Sequence, residues 1–264
     1  MPKIAPSGKT PETESEKLFG AYLDAHGYSG WSFEPTIDDC PKHPDFLLPY
    51  NSGNLLFDVK QRAWRDHKPG ARQIDAVKGI RDEIQEARKK FKNFKDFPCS
   101  LVIYNAGDPD TLLHSFFVFE AMLGEFVHVY PVSLDGTSPP YGARNEFSGR
   151  KGSMVGNRQN LDYQNRTISA ILVLEKTLAP ECIHAFREAI DLVHPPAVTY
   201  IHRVVVCENP GAKKRLPREL FVGRYDERWA IVDGRLGTVF SGAGVGDLEL
   251  EGPTRGFADL LAAP

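Results

Sequence analysis

The residues best suited to chemistry lie in two short stretches, His43-Pro44-Asp45-Phe46-Leu47-Leu48 and Leu55-Leu56-Phe57-Asp58-Val59-Lys60-Gln61. Both read as strands. Tyr50-Asn51-Ser52-Gly53 between them has the composition of a turn, so the pair predicts a hairpin. Successive strand side chains alternate faces, which puts Asp58 and Lys60 on one face and Val59 on the other. Charges on an otherwise apolar strand need an explanation, because burying them is costly unless they are paired or bind a metal. Asp45 interrupts the preceding apolar arm in the same way, and a tight hairpin brings it within reach of Asp58. Two close carboxylates repel, and one stays protonated unless a cation sits between them. Oxygen ligands of this type suit Mg2+ or Mn2+. The chemistry that follows is metal-assisted phosphodiester hydrolysis, in which the cation polarises a phosphoryl oxygen and acidifies a bound water. Lys60 could position that water, help deprotonate it, or neutralise charge in the transition state. Glu16, on a first predicted helix, adds a third carboxylate if that helix packs on the hairpin.

Periodicity supplies the elements that must position these groups. A helix is predicted from about Pro11, with Thr10 as its cap, Leu18, Phe19, Tyr22 and Leu23 as its apolar positions and Gly27 as its stop. Strands are predicted at Trp31–Glu34, Pro44–Leu48 and Leu55–Lys60. A long helix from about Arg72 to Lys95 carries the stripe Ile74, Val77, Ile80, Ile84, Ala87, Phe91 and Phe94. Its opposite side carries Lys78, Arg81, Arg88, Lys89, Lys90, Lys92 and Lys95. Cys99–Tyr104 reads as a buried strand, so the order to this point is αβββαβ. Further on, Thr111–Leu123 is expected as a helix capped by Asp110, with a strand at Phe116–Phe119 as the alternative. Phe126–Val132 is expected to be extended and 133–167 a loop. Strands at Ile168–Glu175 and Tyr200–Cys207 flank a helix at Glu181–Val193. Trp229–Val232 and Leu236–Phe240, split by Asp233-Gly234, read as a hairpin.

Glu16 in a first helix, then Pro44-Asp45, then Asp58-Val59-Lys60, then a helix, resembles the PD-(D/E)xK nuclease superfamily. Phe33-Glu34-Pro35 shortly before Pro44-Asp45 is similar to many members. The resemblance covers roughly residues 10–105. It implies an α/β fold with a restriction-endonuclease-like αβββαβ core, a mixed central sheet flanked by helices, and a C-terminal α+β extension. It implies Mg2+-dependent cleavage of nucleic acid, with Mn2+ as a substitute. It assigns Asp45, Asp58 and the Val59 carbonyl as metal ligands, Lys60 as the catalytic lysine and Glu16 as an auxiliary metal or water ligand. The second acid is Asp where Glu is more usual. Gln73 lacks a tyrosine four residues on, so the QxxxY signature of the RecB-like branch is absent. Candidates for nucleic-acid contact are Gln61, Arg62, Arg65, Gln73, Lys78 and Arg81.

Charge is uneven along the 264 residues, although the whole carries a net charge of only −3. Residues 1–59 hold four basic and nine acidic side chains; residues 60–95 hold twelve basic and five acidic. An acidic cluster beside a basic stretch fits a metal site next to a polyanion track, although on composition alone a mixed solvated surface is the favoured reading. Further basic sets are Arg144, Arg150, Lys151, Arg158 and Arg166, then Lys213, Lys214, Arg215 and Arg218. Hydrophobic residues make up 41%, enough for a core. No apolar run approaches the roughly 18 residues of a membrane span. The first residues lack the apolar stretch of a secretory signal, and the four cysteines form no CxxC pair, so a reducing cytoplasmic setting is expected. Residues 1–10 are expected to be a loose tail and 11–264 one elaborated domain, with a core over 11–105 and an extension over 106–264 for specificity or dimerisation. The expected function is a DNA endonuclease, with RNA open as a substrate and a homodimer open as its state. A role in restriction or defence fits a small free-standing enzyme. The alternatives are a catalytically idle module that binds nucleic acid or protein, and an interaction protein in which the acids and Lys60 form an ion-pair network.

Overall fold

The fold is described from a computed structural model over residues 4–37, 42–51, 53–63, 75–107, 112–129, 144–149, 151–155, 163–179, 182, 200–232 and 235–242. Arg65, Gln73, the Asp110 cap and the helix expected over 181–193, apart from Cys182, lie outside these residues.

The first helix, α1 (Glu14–Ala25), starts three residues later than its composition suggests, because Thr13 and Glu16 form a capping box. It ends in a Schellman motif. Tyr28 N–H donates to Leu23 O and Gly27 N–H to Asp24 O, with Gly27 at φ +73°. The second helix, α2 (Lys78–Phe91), buries Ile80, Ile84, Ala87 and Phe91 at intervals of one helical turn. A third, α3 (Ser115–Leu123), is capped by the His114 side chain, and Phe116–Phe119 is helical within it.

The strands are β1 (Ile4–Ala5), β2 (Ser32–Phe33), β3 (Thr36–Ile37), β4 (Phe46–Tyr50), β5 (Gly53–Ala63), β6 (Cys99–Ala106), β7 (Phe126–Val129), β8 (Arg144–Phe147), β9 (Ile168–Leu178), β10 (Tyr200–Glu208), β11 (Glu227–Val232) and β12 (Arg235–Ser241). Eight of them make one mixed sheet in the order β12-β11-β10-β9-β6-β5-β4-β2. Strands β5, β6 and β9 are mutually parallel, while β4 pairs antiparallel with β5 and β10 antiparallel with β9. The second half of the chain therefore lengthens the same sheet by four strands.

The two faces of this sheet have separate cores. On one, Phe19, Tyr22 and Leu23 of α1 pack with Phe57, Val59, Val102 and Leu172. On the other, α2 and α3 pack with Leu56, Leu101, Ile103 and Ile171. Since β5 is covered on both sides, Leu55 to Val59 are all buried, which makes Asp58 conspicuous among them. Cys99, Cys182 and Cys207 are buried free thiols.

Two stretches differ from expectation. Residues 4–9, expected as a loose tail, are held against the sheet edge. β1 pairs with β3, Ser7 Oγ donates to Phe33 O at 2.6 Å, and Lys9 pairs with Glu34 at 2.5 Å. Part of the expected 133–167 loop is extended, with β8 antiparallel to β7. Among the described residues, no helix is long and apolar enough to cross a membrane.

Candidate active site

The β4–β5 register sets Phe46 opposite Phe57, so Asp45, one residue before β4, stands opposite Asp58. Two backbone bonds fix Asp45. Its N–H donates to Phe57 O at 2.9 Å, and its carbonyl accepts from Glu34 N–H at 2.7 Å. Glu34 reaches it from a left-handed backbone conformation, φ 41°. The next β5 donor, Val59 N–H, bonds the Asp45 side chain: Oδ2 accepts it at 2.7 Å. Chain geometry thus sets two acids face to face, an arrangement that repels unless a cation intervenes.

The cation present is Lys90, from the last turn of α2. Its Nζ lies 2.6 Å from Asp45 Oδ1 and also bonds Asp58 Oδ1. Lys60 Nζ flanks the same carboxylate, 3.2 Å from both Asp58 oxygens. The side chains of Asp58, Asp45, Lys90 and Lys60 are 1%, 14%, 19% and 29% exposed, so the cluster opens to solvent on the Lys60 side. Asp58 Oδ2 accepts no hydrogen bond although it is buried, and His43 Nδ1, two residues before Asp45, is another buried atom without one. Burial and the facing Asp58 charge raise the Asp45 carboxyl to about 6, with Lys90 pulling the other way. For Lys90, burial lowers the pKa, but the two carboxylates outweigh it and hold the ammonium above its ordinary value.

Helix and strand present matching charges along this contact. Arg62, further up the same face of β5, pairs at 3.1 Å with Glu83, two turns before Lys90 on α2. Glu83 and Lys90, two turns apart on the helix, face Arg62 and Asp58 of the strand. Sequence reasoning placed Lys90 on the solvent side of its helix. The signal for it is the pair Glu83 and Lys90, each opposite in sign to the strand residue it faces.

The other sequence candidates sit elsewhere. Glu16 caps α1: its Oε2 accepts from Thr13 N–H at 2.9 Å and Glu12 N–H at 3.0 Å. That helix covers the face of the sheet away from Asp58, so the structure does not bring Glu16 to the acids. Gln61 points to the same far face, where its Oε1 accepts from Ser15 N–H at 3.1 Å. Arg81 pairs with Asp75, and Lys78 is exposed at the start of α2.

A hard cation such as Mg2+ asks for converging oxygens with free lone pairs. Asp45 and Asp58 converge on one point, where Asp58 Oδ2 is buried, accepts no hydrogen bond and meets the Lys60 ammonium at 3.2 Å. Among the described residues, no group of three or more His, Cys, Asp or Glu side chains is arranged to hold a metal. The backbone can add a third oxygen. An extended residue's N–H and C=O point to the same side, and Val59 N–H points at Asp45, so the Val59 carbonyl faces that side too. The donor set fits the ion, with Lys90 standing where it would enter.

No protein-family model matches the chain, and no curated protein matches it. Among solved structures, the chain is similar to SfsA of Pyrococcus furiosus in complex with Ca2+, at 16% sequence identity and a TM-score of 0.18. That likeness covers 37% of this chain and 40% of the other, and at that TM-score it assigns neither fold nor function.

Proposed function

We propose that this chain is a metal-dependent nuclease of the PD-(D/E)xK kind, hydrolysing phosphodiester bonds, with DNA as its substrate. The observation that carries this reading is the pair of opposed carboxylates sharing one cation position, with Asp58 buried and Lys60 against it on the solvent side. The sheet order is a second support: α1, β2, β4, β5, α2 and β6 follow the αβββαβ succession of such cores.

In this reading Asp45, Asp58 and the Val59 carbonyl would hold the ion, which when bound would polarise the scissile phosphate and acidify a bound water. Val59 N–H holds the Asp45 carboxylate in line through its hydrogen bond to Oδ2. Lys60, the most exposed of the four charges, meets the phosphate from the solvent side and balances the negative charge that develops as the new bond to phosphorus forms. Asp58, nearly fully buried, keeps Lys60 oriented through its two oxygens. Glu16 and Gln61 have no part in this site.

A second reading is favoured by Lys90. Two carboxylates and two ammoniums balance, so the cluster is equally a self-neutralised ion network in an idle module. A metal titration separates the two. The nuclease reading expects Mn2+ to bind with one-to-one stoichiometry by calorimetry, to raise the melting temperature, and to do neither in Asp58→Asn. No binding and no thermal shift in the wild type would establish the ion network instead.

A further inference from the structure

The flank of α2 turned away from Asp45 and Asp58 borders a groove of about 610 Å³. One wall is formed by Arg88, Lys92 and Lys95; the other by Tyr163, Arg166 and Lys213. These cations come from three separate basic stretches of the sequence, around 88–95, 166 and 213. The order of strands explains their meeting: β9 and β10 lie on the opposite side of β6 from β5, and Arg166 precedes β9 while Lys213 follows β10.

The second wall is built, not loose. Arg166 Nε donates to Gly211 O at 3.0 Å, and Lys213 N–H donates to Arg166 O at 2.8 Å. The Tyr163 side chain lies against Gly211 so closely that a Cβ there would sit 2.4 Å from it, so only glycine leaves room for that ring. Across the molecule Arg62, Lys90, Arg203 and Arg228 are each matched by a carboxylate. In the groove Lys89 pairs with Glu86 at 2.6 Å, whereas none of Arg88, Lys92, Lys95, Arg166 or Lys213 forms an ion pair with a described carboxylate. Positive groups on two facing walls, one of them running from Arg88 in the last turn of α2 past its end to Lys95, suit a linear polyanion more than a single small anion.

We propose that this groove is the track for the phosphodiester backbone of DNA, gripping it at a distance from the reacting phosphate. The proposal rests on the nuclease reading for its place in function, but the binding it describes needs no metal. Asp58 is level with Leu101 and Ile171, five residues beyond Arg166, and β9 is two strands from β5. With about 3.3 Å per residue and about 4.8 Å per strand, the two backbone positions stand roughly 20 Å apart. At about 3.4 Å per nucleotide along a duplex strand, that is about six nucleotides.

The test is fluorescence anisotropy of the full chain with a labelled DNA duplex in EDTA, over a range of salt. Each lost phosphate contact lowers the slope of log affinity against log salt by about 0.9, so the Lys92→Ala/Lys95→Ala/Lys213→Ala protein should be shallower by about 2 to 3. Its low-salt affinity should fall at least about tenfold. The corresponding triple arginine protein should regain the wild-type slope. A control lacking Lys17 and Lys176, outside the groove, should keep it. An unchanged slope in the triple alanine protein overturns the proposal. So does an equal loss in the control, or competition by polyglutamate as strong per charge as by unlabelled DNA. If the groove is right and the nuclease reading wrong, binding depends on these lysines but no DNA is cut. If the reverse holds, Asp58-dependent cutting persists with an unchanged slope.

Discussion

Replacing Lys90 by methionine removes a charge shared by Asp45 and Asp58 while keeping most of the side-chain volume. Breaking one partner out of a buried ion pair costs about 3–5 kcal/mol, because the remaining charge is left uncompensated. Asp58 still has Lys60 at 3.2 Å, which puts the loss in metal-free protein near the lower end, about 3 kcal/mol. For a domain of this size each kcal/mol moves the melting temperature by about 2–4 °C, so Lys90→Met in EDTA should melt about 6–12 °C below wild type. The sign reverses for metal. In the wild type an entering cation must displace the Lys90 ammonium from its 2.6 Å contact with Asp45. In the variant that competition is gone. If the whole 3 kcal/mol is recovered, Mn2+ affinity rises by up to about two orders of magnitude. Differential scanning calorimetry with and without Mn2+, together with isothermal titration, reads both effects. A variant as stable as wild type in EDTA, or one that binds Mn2+ no more tightly, would refute the assignment of Lys90 as the internal occupant of the cation position.

Three further outcomes follow from the same geometry. The Asp45 carboxyl, held up at about 6 against an ordinary 3.8, keeps a proton in the folded protein that the unfolded chain has released. Metal-free stability should therefore fall by up to about 3 kcal/mol as pH rises from about 4 to about 6, and urea unfolding of Asp45→Asn should lack that slope. Glu16→Ala should cost about 1 kcal/mol through loss of the α1 capping box, whereas Glu16→Gln still accepts from Thr13 N–H and should not; a loss of Mn2+ affinity in both would return Glu16 to the carboxylates. Asp226, buried, accepts from Val204 N–H at 2.8 Å, Gly223 N–H at 2.7 Å and the Tyr22 hydroxyl, tying the 216–226 segment to α1. Asp226→Ala orphans those donors and should destabilise by about 3 kcal/mol or more in thermal melts, with Mn2+ binding retained in the folded fraction.

The hairpin and its acids were legible because strand alternation is a local property. Asp58 and Lys60 share a face whatever the rest of the chain does, and Asp45 follows once the turn is recognised. The apolar stripe of α2 was legible for the same reason. Lys90 was not, since its role depends on how α2 crosses β5, and a lysine 80° off a buried stripe reads equally well as solvated. Glu16 shows a different failure. Thr13-x-x-Glu16 spells a capping box in four residues, a local signal, but the same glutamate also stood where a third acid was sought. The groove behind α2 was out of reach, because its walls come from residues about 70 to 125 positions apart, brought together only by the order of strands.

The most direct measurement of the central claim is cleavage of plasmid DNA by the purified chain in Mg2+, in Mn2+ and in EDTA, with Asp58→Asn and Lys60→Met alongside. The account predicts cutting with either metal, none in EDTA, and a loss of about a hundredfold or more in each variant. Cutting that survives EDTA or the loss of Asp58 would contradict it, as would intact DNA under every condition with a folded protein.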